Sequence, residues 1–288
     1  MKDEINRIQK IDILRGVAII FVVFFHYTSH YNPEYLLRDD NWSFQMAAYG
    51  WSGVDIFFIV SGFCIAMTIE KIPNLYEFYI RRFARIYPAY VFCGIITLIF
   101  FSIYDLPGRE VDWFTGIMNF TFANIIPGIN IQYTDGIYWA LMVELKFYII
   151  FGLIFFFVKD LNKSILYWAI LCCLINFIIL IDKNLIIFLT SISPHANLFL
   201  LGLVAYNHKK INIFYSFVVI IFSLANIFIN ERFIDNELYF LVLIFITFMI
   251  LRSNITLKLY IIPSIGLVSY SWYLVHNAVG LIIIRELN

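Results

Sequence analysis

The chain has 288 residues, of which 62% are hydrophobic, 19% aromatic and 14% charged, with twenty basic side chains against twenty acidic ones. A soluble globular domain carries about 25% charged and roughly 45–50% apolar residues, so composition excludes that class. A net charge of zero gives no reason to expect nucleic acid as a partner.

Apolar runs long enough to cross hydrocarbon roughly 30 Å thick recur along the chain. In order, spans are predicted at about 11–30, 49–69, 86–104, 137–158, 165–181, 185–206, 211–229, 237–251 and 260–284. Each must be a helix, because an open strand cannot satisfy its backbone polar groups in lipid. The expected fold is an all-α, polytopic transmembrane helical bundle of about nine spans, one domain over residues 1–288. The first run, from Ile11, lacks a following small-residue cleavage site and reads as a retained span rather than a signal peptide. Pro88 suits the first turn of the third span. The segment 105–136 is the one long connection. Its Trp113, Phe114, Phe120 and Phe122 mix with Asn, Gly and Pro127, which predicts folding back onto the membrane interface. The four cysteines, Cys64, Cys93, Cys172 and Cys173, lie within apolar runs without metal-ligand spacing, so they read as small hydrophobes. No metal is expected.

The basic residues give the orientation. Connections on the N-terminal side hold Lys2, Arg7, Lys10, Arg15, Lys71, Arg81, Arg82, Arg85, Lys159, Lys163, Lys209, Lys210, Arg252 and Lys258, against Arg38, Arg109, Lys183, Arg232 and Arg285 on the other. Basic connections stay cytoplasmic. The N-terminus is therefore expected inside, and nine spans would put the C-terminus outside.

Ionisable residues inside a span cost about 2.5–3.5 kcal/mol or more and point by default to function. Here they are Arg15, His26, Asp55, Glu144, Lys146, His195 and His276. At about 1.5 Å per residue, His26 stands roughly 22 Å above the inner start of its span and His276 roughly 24 Å above that of the last. Asp55 and Glu144 lie about 9 and 10 Å below the outer starts of theirs. Axial distance alone thus groups all four in the outer third. Lys146 reads as a structural pairing residue, and His195 and His30 as structural or interfacial. A second, basic cluster is expected at the cytoplasmic face: Arg15, with Arg82 and Arg85 three residues apart on one helix face. Guanidinium matches phosphate. Arg15 and His26 are 11 residues apart, so they share a face about 16 Å apart along the axis. A long donor with an anionic head and a deeper reactive end, such as an acyl-coenzyme A, fits that spacing. The expectation is one continuous tunnel from the arginines to a histidine–carboxylate chamber.

Five segments carry a resemblance. They are IDILRGVAIIFVVFFHY at 11–27, YGWSGVDIFFIVSGFCIA at 49–66, FYIRRFARIYPAY at 78–90, YWALMVELKFYII at 138–150 and SYSWYLVHNAV at 269–279. In this order they resemble the motifs of acyltransferase family 3, membrane-bound O-acyltransferases. The resemblance implies transfer of an acyl group, commonly acetyl, from cytoplasmic acyl-coenzyme A to a hydroxyl of an envelope saccharide. It also implies a multi-pass protein of the bacterial cytoplasmic membrane. Catalysis falls on His26 and Glu144, with Asp55 beside them. Donor binding falls on Arg15, Arg82 and Arg85, and His276, Tyr270 and Trp139 line the site.

The chain departs from the family pattern in two places. The usual acidic pair is Glu144-Leu145-Lys146, with one carboxylate. The family commonly has about ten spans, so a last span after residue 288 is expected to be missing. Without an appended extracytoplasmic hydrolase-like domain, transfer would have to finish within the membrane domain. Glu144 or Asp55 is expected to orient His26, which acts either as general base or as a transient acyl carrier. The competing reading is a transporter or flippase for a lipid-linked saccharide, since intramembrane charges are equally typical of transporters.

Overall fold

The computed structural model describes residues 2–30, 45–104, 106, 108–109, 111–126, 128–181, 192–207, 237–253 and 261–287. Among them, regular structure is helical. Helix α1 (Lys2–Phe25) runs into a π turn, His26–His30. A 3-10 stretch, Gln45–Ser52, leads into α2 (Gly53–Ile69), followed by α3 (Leu75–Ile103) and the short α4 (Trp113–Asn119). Next come α5 (Trp139–Val158), α6 (Leu161–Ile181), α7 (Ser193–Asn207), α8 (Glu237–Arg252), α9 (Ile261–Val275) and α10 (Ala278–Leu287).

Four stretches are long and apolar enough to cross a membrane: Gln9–His30, Ala48–Ile69, Leu75–Ile103 and Gly136–Val158. They match four of the predicted spans. The predicted span 211–229 and the start of 185–206 lie outside the described residues. The predicted span 260–284 is not one straight helix: α9 and α10 meet at 80°. No proline or glycine sits at the bend. A carboxylate from elsewhere makes it, because Asp135 accepts hydrogen bonds from the Asn277 side chain and from the Ala278 amide, the first free N–H of α10. Such a carboxylate is the favoured partner of a helix N-terminus.

Helix α3 starts earlier than the third predicted span, so Pro88 lies well inside it rather than in its first turn. The early start has a local cause: Asn74 caps the helix by accepting from the Glu77 amide at 2.9 Å. The connection after α3 does fold back, but onto α3 itself. Trp113 donates its indole N–H to Ser102 at 2.9 Å, and Phe120 packs on Gly94. Tyr90 donates to the Asn119 carbonyl.

Between spans, packing relies on missing side chains, as expected where lipid supplies no hydrophobic drive for helix association. A Cβ at Gly62 on α2 would overlap the Phe199 carbonyl of α7, and one at Gly202 on α7 would overlap the Ile59 carbonyl of α2. The same reciprocal arrangement joins α1 and α9 through Gly16 and Gly266. Helix α1 is thereby sandwiched between α2 and α9, which sets Arg15 and His26 between the helices that carry the remaining site residues.

Candidate active site

Five helices surround a cavity with about 610 Å³ of empty space. Arg15 comes from α1, Ser61 and Cys64 from α2, Arg85 from α3, Glu144 from α5 and Tyr270 from α9. Apolar residues, Phe57, Phe58 and Tyr273 among them, form the rest of the lining. Glu144 accepts hydrogen bonds from Ser61 and Tyr148, whose hydroxyls are 2.8 Å apart. The carboxylate is therefore held by two neutral donors, one of them four residues on along its own helix.

Neither guanidinium that lines this cavity forms a hydrogen bond or ion pair with another described residue, and the buried Nε of Arg15 lacks a partner. The one carboxylate in the lining, Glu144, is already bonded to two hydroxyls, and Asp12, the other carboxylate near the two cations, forms no ion pair with either. Guanidinium donors left unbonded in a cavity suit an anionic ligand, because a buried charged donor without a partner is costly. Arg82 is placed differently. Its side chain donates to Thr68 at 2.9 Å and packs between the rings of Phe78 and Tyr148, away from the lining. Tyr270 lines the cavity and donates to the Ile86 carbonyl at 3.1 Å.

His26 opens into a second and more polar cavity, with about 1100 Å³ of empty space. Its neighbours there include His30, Arg109, Gln132, Asp135, Trp139 and Asn277. Arg15 and His26, expected to share one tunnel, line different cavities. Tyr273 stands between them. Its ring lines the arginine cavity, 6.1 Å from that of Phe57 and 5.5 Å from His276. Its hydroxyl donates to the carbonyl of Ile137, which lines the polar cavity.

The grouping by axial depth is also corrected. His26 forms no hydrogen bond or ion pair with Glu144 or Asp55. Glu144 sits with the arginines. Asp55, buried at 2% exposure, lies 3.8 Å from His195, whose ring packs on Phe58 and Trp139. Depth along an axis ignores the direction in which a side chain leaves its helix, and Asp55 leaves α2 towards α7. The partner of His26 is His276, with Nε2 of His276 3.3 Å from Nδ1 of His26.

Sequence reasoning passed over Ser61, Tyr148, Asp135, Arg109 and Asn277. Asp135 lies in the connection before α5, outside the spans, and is buried on the lining of the polar cavity. Burial pushes its carboxyl above the usual range, opposed by the hydrogen bonds from Asn277, Ala278 and Ile137.

The family model described as an acyltransferase domain, Acyl_transf_3, matches residues 8–287. The chain is 29% identical over 164 residues to peptidoglycan O-acetyltransferase OatA of Listeria monocytogenes, a stretch covering 50% of this chain and 23% of that protein. It is 30% identical over 126 residues to acyltransferase MdmB of Streptomyces mycarofaciens, covering 40% of this chain and 31% of the relative. The matched stretches span less than a third of either relative's length. No solved structure matches the chain. With nearly every residue from α1 to α10 under one family model, the chain belongs to acyltransferase family 3.

Proposed function

We propose that this chain transfers an acyl group, acetyl in the first instance, from acyl-coenzyme A to a hydroxyl of a cell-envelope saccharide. The observation that carries the reading is the pair of guanidiniums, Arg15 and Arg85, that line one cavity without a carboxylate partner among the described residues. The donor's phosphates would lie against them, each arginine offering a planar fork of N–H donors. The excess of basic residues on the N-terminal side of the membrane supports a cytoplasmic donor. Arg82 would support the donor end through Thr68 and Tyr148 rather than by direct contact. The acceptor would enter the polar cavity, where Trp139 offers an aromatic face and Asn277 and Gln132 offer amides for sugar hydroxyls.

In the transfer, the acceptor oxygen attacks the thioester carbonyl and the carbon–sulfur bond breaks. The hydroxyl proton passes to Nε2 of His26 and from there to the departing thiolate, giving an ester and coenzyme A. Imidazole is suited to both halves of that exchange. The OatA relative's name, a peptidoglycan O-acetyltransferase, supports an envelope glycan as acceptor.

The test is incubation of purified protein with labelled acetyl-coenzyme A and chitotetraose or peptidoglycan fragments. Covalent label on the glycan, lost in a stably folded His26→Ala variant, is the expected result. Movement of a lipid-linked saccharide across vesicles without covalent label would favour a transporter and overturn the proposal. Unimpaired acetylation by His26→Ala would remove the histidine from the mechanism.

A further inference from the structure

We propose that His276 is a positioning residue for His26, filling with a neutral imidazole the place that a carboxylate takes in a serine-type triad. The inference rests on His26 being the group that takes the acceptor's proton.

The argument starts from two carbonyls. Nδ1 of His26 lies 2.8 Å from the Val22 carbonyl oxygen, and Nδ1 of His276 lies 2.8 Å from the Tyr273 carbonyl oxygen. A carbonyl only accepts, so each Nδ1 carries the hydrogen. A neutral imidazole has one N–H, so its other nitrogen is a lone pair. Nε2 of His276 is therefore an acceptor, and it faces Nδ1 of His26 at 3.3 Å. The one hydrogen on Nδ1 of His26 is shared between Val22 and His276. Nε2 of His26 is left unprotonated, as a proton acceptor must be.

The contact also fixes the ring. The two imidazoles meet edge to face, with centroids 4.9 Å apart and planes at 75°. Turning the His26 ring over would break the Val22 bond and put a carbon against the His276 lone pair. His276 is itself held, at 1% exposure. Tyr27 donates to its carbonyl at 2.5 Å, and the next two residues are clamped by Asp135. A positioning group needs such support if the base is to keep its aim. During transfer the charged His26 ring keeps both acceptors for its Nδ1–H, so the developing charge meets an oriented hydrogen bond.

The test compares His276→Asn with His276→Gln in the full-length protein. Asparagine can still donate to the Tyr273 carbonyl but lacks the atom that faces His26. Glutamine places an amide oxygen near it. For His276→Asn, kcat for acetyl transfer to chitotetraose is expected to fall about 30-fold or more, with KM for acetyl-coenzyme A and thermal stability unchanged. His276→Gln is expected to recover to within about tenfold of wild type. Imidazole 15N and attached-proton spectra should show His26 as the Nδ1–H tautomer in both proteins, since Val22 still accepts, with the Nδ1–H resonance of His26 shifted in His276→Asn because its second acceptor is gone. Wild-type kcat in His276→Asn, equal losses in both variants, or an unshifted His26 Nδ1–H resonance in His276→Asn each overturns the role. If wild type labels no glycan, the proposed function falls on its own, and the Nδ1–H comparison still decides the positioning role.

Discussion

Replacing Asp135 by alanine is expected to cost about 3 kcal/mol of stability, and the figure follows from what its carboxyl holds. It accepts from Asn277 Nδ2 at 2.5 Å, from the Ala278 amide at 2.8 Å and from the Ile137 amide at 3.3 Å. A buried donor stripped of its partner costs roughly 1–3 kcal/mol, so three of them bracket about 3–9 kcal/mol. Two effects select the lower end. The Ile137 contact is long and contributes least. Asp135 also lines the polar cavity, so water can reach the vacated donors and restore part of the loss. Asp135→Asn keeps an oxygen for some of these donors and turns an NH2 towards another, which puts its cost at about 1–2 kcal/mol. Unfolding in mixed detergent micelles, followed by tryptophan fluorescence, measures both variants. Because Asp135 pins the bend that holds His276, kcat should fall along with stability. An Asp135→Ala protein within about 0.5 kcal/mol of wild type, below the ordinary worth of one hydrogen bond, would refute the clamp.

Three further outcomes are expected. Arg85→Gln should raise KM for acetyl-coenzyme A about 10-fold or more, since a hydrogen bond to a charged group is worth about 1.5–3 kcal/mol; an unchanged KM in initial-rate assays removes Arg85 from donor binding. Gly202→Val should destabilise the bundle by about 1–3 kcal/mol or more, as overpacking does, because any Cβ there meets the backbone of α2 at Ile59 and Phe63. A wild-type melting profile would show that α2 and α7 are not so closely apposed. Tyr273→Ala should join the two cavities and speed hydrolysis of acetyl-coenzyme A without acceptor several-fold, read by thiol release. An unchanged rate would place the partition elsewhere.

The residues that stood out in the sequence did so because charge is expensive in an apolar run. That cost exposed Arg15, Glu144 and His26, and the basic cluster ahead of the third span exposed Arg85; all four line one or other cavity. Their grouping was less legible. Rise per residue gives height but not direction, so Glu144 and Asp55 were assigned to His26, while α2 and α5 turn them towards Ser61 and His195. Ser61 and Tyr148 carry no charge and do not announce themselves, although Tyr148 lies four residues from Glu144 on the same helix face. Asp135 was invisible for the opposite reason: an acid in a connecting segment looks solvated until the fold encloses it. The bend between α9 and α10 had no local mark, because its cause lies more than 140 residues away in sequence.

The wall that Tyr273 builds with Phe57 has a consequence beyond chemistry. A cell that stores work as an ion gradient cannot tolerate a standing column of water through its insulating layer. If donor and acceptor enter from opposite faces, as proposed, an oily partition between the two recesses would let them approach each other while keeping the bilayer electrically tight. The arm that carries the acyl group would then serve as its own plug when it passes, filling the gap that it opens.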